Sequence, residues 1–177
     1  MLDHAETNKA TRSDVPRYYR VACHFWSDEK VVNWSESLKL FALYLLTTKH
    51  RNLEGFFVLP PEYIAADMRL PLRRVKDALG KLEQEGFLRF DGKANLLLIR
   101  NALRYQQPDS KNVVKAVIAR VRNLPDNQEL RNEFLSLARV HCLRSGLSPF
   151  AQGFPALLER EFRPVSNERQ EVACRVV

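Results

Sequence analysis

Prolines and glycines divide the middle of this chain into short segments, and this punctuation limits the folds open to it. Pro60-Pro61 ends a brief apolar run, Pro71 opens a segment that closes at Gly86, and Asp91-Gly92 separates two further apolar runs. Proline is common in the first turn of a helix, where its missing N–H costs nothing, and glycine is common just past a helix end. The pattern predicts several short elements between residues 35 and 100.

Hydrophobic spacing assigns a type to each of these segments. Residues 35–48 are predicted to form a helix capped by Ser35. Apolar side chains occur on nearly every side of this helix, so we expect it to be central and buried. The further elements are a strand at 55–59, a helix at 61–68, a helix from Pro71 to about Glu85, and a β-hairpin formed by 87–91 and 96–100. This order of elements is that of a winged helix-turn-helix.

The flanking segments are predicted to extend this unit. From Tyr18 to Phe25 every second residue (Tyr19, Val21, Cys23 and Phe25) falls on one face, and Tyr18, Arg20 and His24 fall on the other, which predicts a strand. The segment Ser27–Lys30 is predicted to start a short helix. Beyond the hairpin we predict a helix at 111–123, a helix from a capping box of Asp126 and Glu129 to about Ser145, and a short amphipathic turn within 147–162.

The expected fold class is mainly α with a small β-wing: a winged helix-turn-helix with an N-terminal strand extension and C-terminal helices. Four parts of the chain follow from this interpretation. They are a flexible arm at 1–16, a winged-helix DNA-binding domain at 17–109, a helical extension at 110–146, and a partly disordered tail at 147–177.

The charge of the chain favours a polyanionic partner. Its 28 lysines and arginines outnumber its 21 acids and give a net charge of +7, which suits DNA, RNA or an acidic membrane surface. No stretch approaches the roughly 18 consecutive apolar residues of a membrane span, and the N-terminus lacks a signal pattern. Three cysteines without CxxC spacing make a disulfide framework improbable. We therefore expect a cytoplasmic protein.

The helix after Pro71 carries the residues that are predicted to contact DNA. In a helix-turn-helix the second helix enters the major groove, and its exposed side supplies donors to phosphates and base edges. The core stripe is Leu72, Val75, Leu79 and Leu82. The face opposite that stripe carries Arg73, Arg74, Asp77, Gly80, Lys81 and Gln84. Arginine in the first turn is suited to guanine, and Asp77 to the amino group of cytosine.

Further contacts are predicted in the turn, the hairpin and the segment after it. Residues 100–122 hold six basic side chains against the single acid Asp109, a net charge of +5 and the densest positive region of the chain. Such a region can follow phosphates, with salt-sensitive affinity. The candidate DNA contacts outside the helix are Arg69, Arg89, Lys93, Arg104, Lys111 and Lys115. The structural alternative is that charges on helix surfaces serve solubility.

No catalytic or metal site is expected. Cys23-His24 and His141-Cys142 are a possible zinc set by composition, but neighbouring residues on a strand point to opposite faces, so core packing explains them better. Paired carboxylates for acid–base chemistry, an activated nucleophile and a phosphate-binding glycine loop are not evident among the motifs. The sequence indicates a protein that is not an enzyme and needs no cofactor.

From about Tyr18 to Ala138 the chain resembles the N-terminal domain of phage replisome organisers and of DnaD-type primosome proteins. The residues that carry the resemblance are Phe25-Trp26-Ser27-Asp28-Glu29-Lys30, Leu43-Tyr44-Leu45-Leu46-Thr47, Asn52-Leu53-Glu54-Gly55, Tyr63-Ile64-Ala65, Val75-Lys76-Asp77-Ala78-Leu79, Leu82-Glu83-Gln84-Glu85-Gly86-Phe87-Leu88 and Asn101-Ala102-Leu103-Arg104-Tyr105-Gln106.

The resemblance implies a role in starting DNA replication. Such a protein binds double-stranded origin DNA, helps to recruit the replicative helicase or its loader, and forms a homo-oligomer. Two alternatives stay open: a transcriptional regulator of winged-helix type, and a protein-interaction module with little DNA binding. Replacing Arg73 and Arg74 with alanine distinguishes these hypotheses. Loss of DNA affinity in a folded variant supports the replication or transcription role, and unchanged affinity supports the protein-interaction module.

Overall fold

The computed structural model describes residues 19–143 and 146–162 and confirms a mainly α fold with a small β component. A 3-10 helix, Cys23–Ser27, comes first. The helices are α1 Glu29–Val32, α2 Glu36–Thr47, α3 Pro61–Met68, α4 Leu72–Gln84, α5 Ala102–Tyr105, α6 Lys111–Arg122, α7 Gln128–Cys142 and α8 Pro149–Phe162. The strands are β1 Phe56–Val58, β2 Leu88–Asp91 and β3 Leu96–Ile99.

The three strands form an antiparallel sheet in the order β1-β3-β2, with β3 in the centre. The predicted hairpin of β2 and β3 is confirmed, with Leu88 opposite Ile99. All four residues of β3 are buried. Because successive side chains of a strand point to opposite faces, this unbroken apolar run packs on both sides of the sheet.

The two faces of the sheet are covered by two layers of helices. Leu97 and Ile99 belong to the core formed with the buried residues of α1 to α4. Leu96 and Leu98 belong to a second core, formed with Phe56, with Leu103 of α5 and with buried residues of α6 to α8. The hairpin therefore has helices on both sides.

Helix α2 is capped as predicted but is less buried than predicted. The Ser35 Oγ accepts a hydrogen bond from the Leu38 N–H at 3.3 Å, and Phe41, Ala42 and Leu45 are buried. Leu40, however, is 61% exposed. The helix lies in an outer layer with one side on the core, so the expectation that it is buried all round was wrong.

The predicted N-terminal strand is absent from the described residues. Ala22 is extended, but the Phe25 N–H donates to the Ala22 carbonyl at 2.9 Å and closes a 3-10 turn. Phe25 is buried whereas Cys23 is exposed, so the alternating residues share no face. A strand also needs a partner for its backbone hydrogen bonds, and the sheet contains only β1, β2 and β3.

The C-terminal helices differ from the prediction at their ends. Asn127, not Asp126, caps α7, because its Oδ1 accepts from the Leu130 N–H at 2.9 Å. The segment predicted as a short turn is the 14-residue helix α8. The predicted arm at 1–16, and the part of the predicted tail after Phe162, lie outside the described residues.

Candidate nucleic-acid interface

A tight turn joins α3 to α4 and presents Arg69 to solvent. Arg69 has a left-handed backbone, with φ 53° and ψ 44°, and the next residue, Leu70, donates its N–H to the Ala65 carbonyl at 3.0 Å. Glycine usually occupies such a position, because other residues pay a steric cost there. An arginine held at this point is a strained residue next to a basic helix, and strain of this kind is typical of functional positions.

Helix α4 is amphipathic in the predicted sense. Val75, Leu79 and Leu82 are buried against the first core. The residues predicted to face DNA from this helix are exposed on its opposite side: Arg73, Arg74, Asp77, Lys81 and Gln84. The structure thus brings together the predicted set from α4, with Arg69 at its N-terminal end.

Lys76 is a further exposed cation of α4 that the sequence analysis left out. On a helical projection it lies about 100° from the centre of the buried stripe, as Arg74 does on the other flank. The signal was present in the sequence, since the narrow stripe of Val75, Leu79 and Leu82 leaves position 76 outside it. Arg74 and Lys76 therefore border the exposed face from its two sides.

The cations of this surface have no carboxylate partners. We call the five of them the α4 cation group: Arg69, Arg73, Arg74, Lys76 and Lys81. No described residue forms a salt bridge or a side-chain hydrogen bond with any of the five. Within α4, which the structure describes in full, Asp77 is the one acid on the exposed face.

Arginines elsewhere in the described ranges are mostly neutralised by acids. Salt bridges engage Arg89, Arg100, Arg120, Arg122, Arg131 and Arg139. Three of these, Arg100, Arg120 and Arg122, belong to the 100–122 segment that is the most positive region of the sequence. Their partners Glu133, Glu54 and Glu161 come from distant parts of the chain, so the local charge of that segment is much reduced in space.

The remaining predicted contacts of that segment are exposed but lie on another part of the surface. Arg104, Lys111 and Lys115 are exposed and form no salt bridge with the described residues. Helix α6 packs on the second core, across the sheet from α4, whereas α5 contributes Ala102 to the first core and Leu103 to the second. The structure does not bring these three cations to the α4 face.

The hairpin contributes one free cation and one that is fully engaged. Arg89 donates to Glu83, Glu129 and Glu133 at 3.2, 2.6 and 3.2 Å. The hydrogen bond to Glu129, together with the negative charges of all three acids, raises the pKa of the Arg89 guanidinium. Lys93 is exposed in the turn, where its N–H donates to the Asp91 carboxylate at 2.8 Å. Of the two predicted hairpin contacts, only Lys93 keeps its side chain available.

The hairpin turn is attached to α7. The Asp91 carboxylate accepts a hydrogen bond from the Asn127 side-chain amide at 2.8 Å, and this bond is the main reason that the pKa of Asp91 is lowered. Asn127 also caps α7. The turn therefore has a fixed orientation relative to the helix layer behind the sheet.

The cysteine and histidine pairs do not form a site in the described residues. Cys23 is exposed, whereas Cys142 is buried in the second core, where burial raises its pKa to about 11. No group of three or more histidine, cysteine or acidic residues in residues 19–143 and 146–162 is arranged to hold a metal ion.

We examined the described helices for membrane-spanning segments and compared the chain with known proteins. None of the described helices has the length and apolar character needed to cross a bilayer. Comparisons with models of protein families, with curated proteins and with solved structures give no match. We therefore infer the function of the chain from the surface described above.

Proposed function

We propose that this chain is a non-catalytic protein that binds double-stranded DNA, with the unit from α2 to β3 acting as a winged helix-turn-helix. The observation that carries the proposal is the α4 cation group, a set of unpaired cations on one face, whereas six of the ten other arginines among the described residues form salt bridges. Cations without carboxylate partners keep their full positive charge directed toward solvent on this face. A polyanion supplies the missing counter-charge.

In this proposal α4 enters the major groove with its first turn deepest. Arg73 and Arg74 contact base edges or phosphates, and bidentate arginine–guanine pairing is the commonest specific contact. Asp77 accepts a hydrogen bond from a cytosine amino group, because a carboxylate can accept from this base but would repel a phosphate. Arg69 and Lys81 bind phosphates near the two ends of the helix.

The hairpin has a smaller part in the proposed complex than an open wing would have. Helices cover both faces of its sheet, and Arg89 is held by three carboxylates, so we leave Arg89 out of the proposed contacts. Lys93 in the turn is retained as a contact to the DNA backbone. The proposed interface is therefore carried by the helix, with one additional contact from the hairpin.

The biological role that we propose is replication initiation in the cytoplasm, and its support is the resemblance to replisome organisers. Recruitment of a helicase or its loader, and assembly into a homo-oligomer, are parts of the same proposal. A transcriptional regulator would use the same α4 face and remains the alternative. A protein-interaction module with little DNA binding is the second alternative, in which the α4 cation group would meet an acidic surface of a partner protein.

Fluorescence anisotropy of a labelled duplex, titrated at two salt concentrations, tests the DNA proposal. The variant Arg73→Ala/Arg74→Ala should lose about 10- to 100-fold in affinity and show a shallower salt dependence. The matched control is Arg122→Ala/Arg139→Ala, which removes the same charge from two arginines that are already paired. We expect it to bind within about twofold of the parent protein.

Two results would contradict the proposal. One is the absence of binding at low salt by a folded sample. The other is an equal loss of affinity in both double variants, which would mean that net charge, and not the α4 face, determines binding. Circular dichroism of each variant establishes that it is folded before it is titrated.

A further inference from the structure

A cavity of about 320 Å³ lies beneath the N-terminal segment, away from the exposed face of α4. Its walls come from residues 20–34, from the end of α2 and the loop after it, from the 85–87 turn and from α5. This volume falls at the lower end of the roughly 300–1,000 Å³ typical of small-molecule sites.

The cavity wall contains a buried arginine, Arg51, whose charge is opposed by Glu54 from beyond salt-bridge distance, and Glu54 is already paired with Arg120. Arg51 is only 3% exposed, and no described residue forms a salt bridge with it. Its Nη1 donates to the Leu46 carbonyl at 3.1 Å and to Gln106 at 3.3 Å, and the Tyr19 ring stacks 4.6 Å from its guanidinium carbon. Burial lowers the pKa of Arg51. Buried charges in proteins are normally paired, because an unpaired one loses its solvation without compensation.

Two buried N–H donors in the cavity walls have no acceptor among the described residues. They are the Arg51 Nε and the Trp34 Nε1. A buried donor without an acceptor is unfavourable, so the Arg51 Nε favours a bound group that carries acceptor atoms at that end of the cavity. Trp34 precedes α2 and Arg51 follows it, so the donors come from the two ends of that helix.

The rest of the lining combines apolar side chains with exposed cations. Phe25 and Phe87 are part of the wall, and Phe87 meets the Trp34 ring edge-on with centroids 5.7 Å apart. Arg20 and Arg104 line the cavity, are exposed, and form no salt bridge with the described residues. The lining also includes the acids Asp28, Glu29 and Glu85, of which Asp28 caps α1.

We propose that this cavity binds a small organic carboxylate with an apolar body. The carboxylate lies against Arg51, with Arg20 and Arg104 at the entrance, and the apolar body extends along Phe25 and Phe87 toward Trp34. The site lies outside the proposed DNA interface, and its test uses no DNA, so either proposal can fail without the other.

Trp34 provides a direct measurement of occupancy. The chain has two tryptophans, and Trp26 is exposed, so the variant Trp26→Phe leaves Trp34 as the sole emitter. Octanoate, an optically silent carboxylate with an apolar body, is titrated into this protein. We expect a saturable change in Trp34 emission, and neither 1-octanol nor octylamine should reproduce it at the same concentrations.

Variants in the same background locate the binding. Ala22→Phe fills the cavity from a residue of its wall and should abolish the saturable change, whereas Ala116→Phe, at an exposed position of α6, should leave it intact. Arg20→Ala/Arg104→Ala should lower the affinity by about tenfold, because it removes charged donors. These two arginines form no salt bridge within the described chain, so this variant is expected to fold and gives an answer even if Ala22→Phe does not.

The proposal is overturned if octanoate causes no saturable change in Trp34 emission. It is also overturned if octylamine acts equally well, or if folded Ala22→Phe or the double arginine variant binds octanoate as the parent does. An octanoate response that is lost in those two variants and kept in Ala116→Phe supports it.

Discussion

Replacing Arg120 with alanine should destabilise the fold strongly, because it strands a buried carboxylate. The Glu54 side chain is 0% exposed, and its two oxygens accept from the Arg120 Nε and Nη2 at 2.8 Å each. This bidentate pair joins the loop before β1 to α6. After the substitution the described structure has no other hydrogen-bond donor for the Glu54 carboxyl group, which stays buried without its ionic partner.

The size of the effect follows from the exposure of the two partners. Breaking a fully buried ion pair costs about 3–5 kcal/mol. Arg120 is 42% exposed, so water reaches its end of the pair and the cost should be at the low end, about 3 kcal/mol. With an m-value of about 2 kcal/mol per molar urea, the unfolding midpoint should fall by about 1.5 M.

Urea unfolding followed by circular dichroism measures this change. Arg122→Ala is the matched control, because its pair with Glu161 has side-chain exposures of 59% and 34% and should contribute about 0–1 kcal/mol. The double variant Glu54→Leu/Arg120→Met removes both charges and should recover much of the loss. The reasoning fails if Arg120→Ala costs no more than Arg122→Ala, or if the double variant is no more stable than Arg120→Ala.

Three further predictions concern other positions. Arg69→Gly should raise the free energy of unfolding by about 1 kcal/mol, because it relieves the left-handed backbone, and should weaken duplex binding in the anisotropy assay; an unchanged affinity would remove Arg69 from the interface. The pKa of Asp67 is lowered, chiefly by the hydrogen bond from the Tyr44 hydroxyl. The ionised Asp67 should therefore stabilise the fold fully above the ordinary pKa of a carboxyl group, and this stabilisation should be lost as the pH falls through the lowered pKa of the folded protein. Asp67→Asn should flatten the urea midpoint across that acid range, and an unaltered pH profile would contradict this. Gly55→Ala would place a methyl carbon 2.3 Å from a side-chain atom of α5 at a φ of +68° and should cost about 2–4 kcal/mol, whereas Gly80→Ala, in open space within α4, should gain about 1 kcal/mol; equal midpoints would refute the steric argument.

The sequence predicted the elements whose signals are local. Pro61 and Met68 are the observed ends of α3, Ser35 caps α2, and the Asp91-Gly92 turn joins two paired strands. In each case a proline, a capping side chain or a turn dipeptide acts within a few residues. The amphipathic pattern of α4 is also local, and this is why the predicted face of that helix is exposed as expected.

Features that depend on distant contacts were missed. Pro155 lies inside α8 and argues against a helix there, but burial of Phe154 and Leu158 in the second core stabilises it. Likewise, the sequence around Arg89 does not reveal that acids from α4 and α7 surround it. Local charge counts therefore overestimated the free positive charge of the hairpin and of residues 100–122.

The burial of β3 on both faces makes the two halves of the molecule depend on one another. Each helix layer completes its core with alternate side chains of the same four-residue strand, so the loss of one layer would leave Phe56, Leu96 and Leu98, or Phe57, Leu97 and Ile99, uncovered in water. A fragment that ends at residue 109 would carry an exposed apolar sheet and a strong tendency to aggregate. The stability of the core that supports α4 thus depends on helices far from it in the sequence. Destabilising substitutions in α7 or α8 should therefore weaken DNA binding without altering any residue of the α4 face.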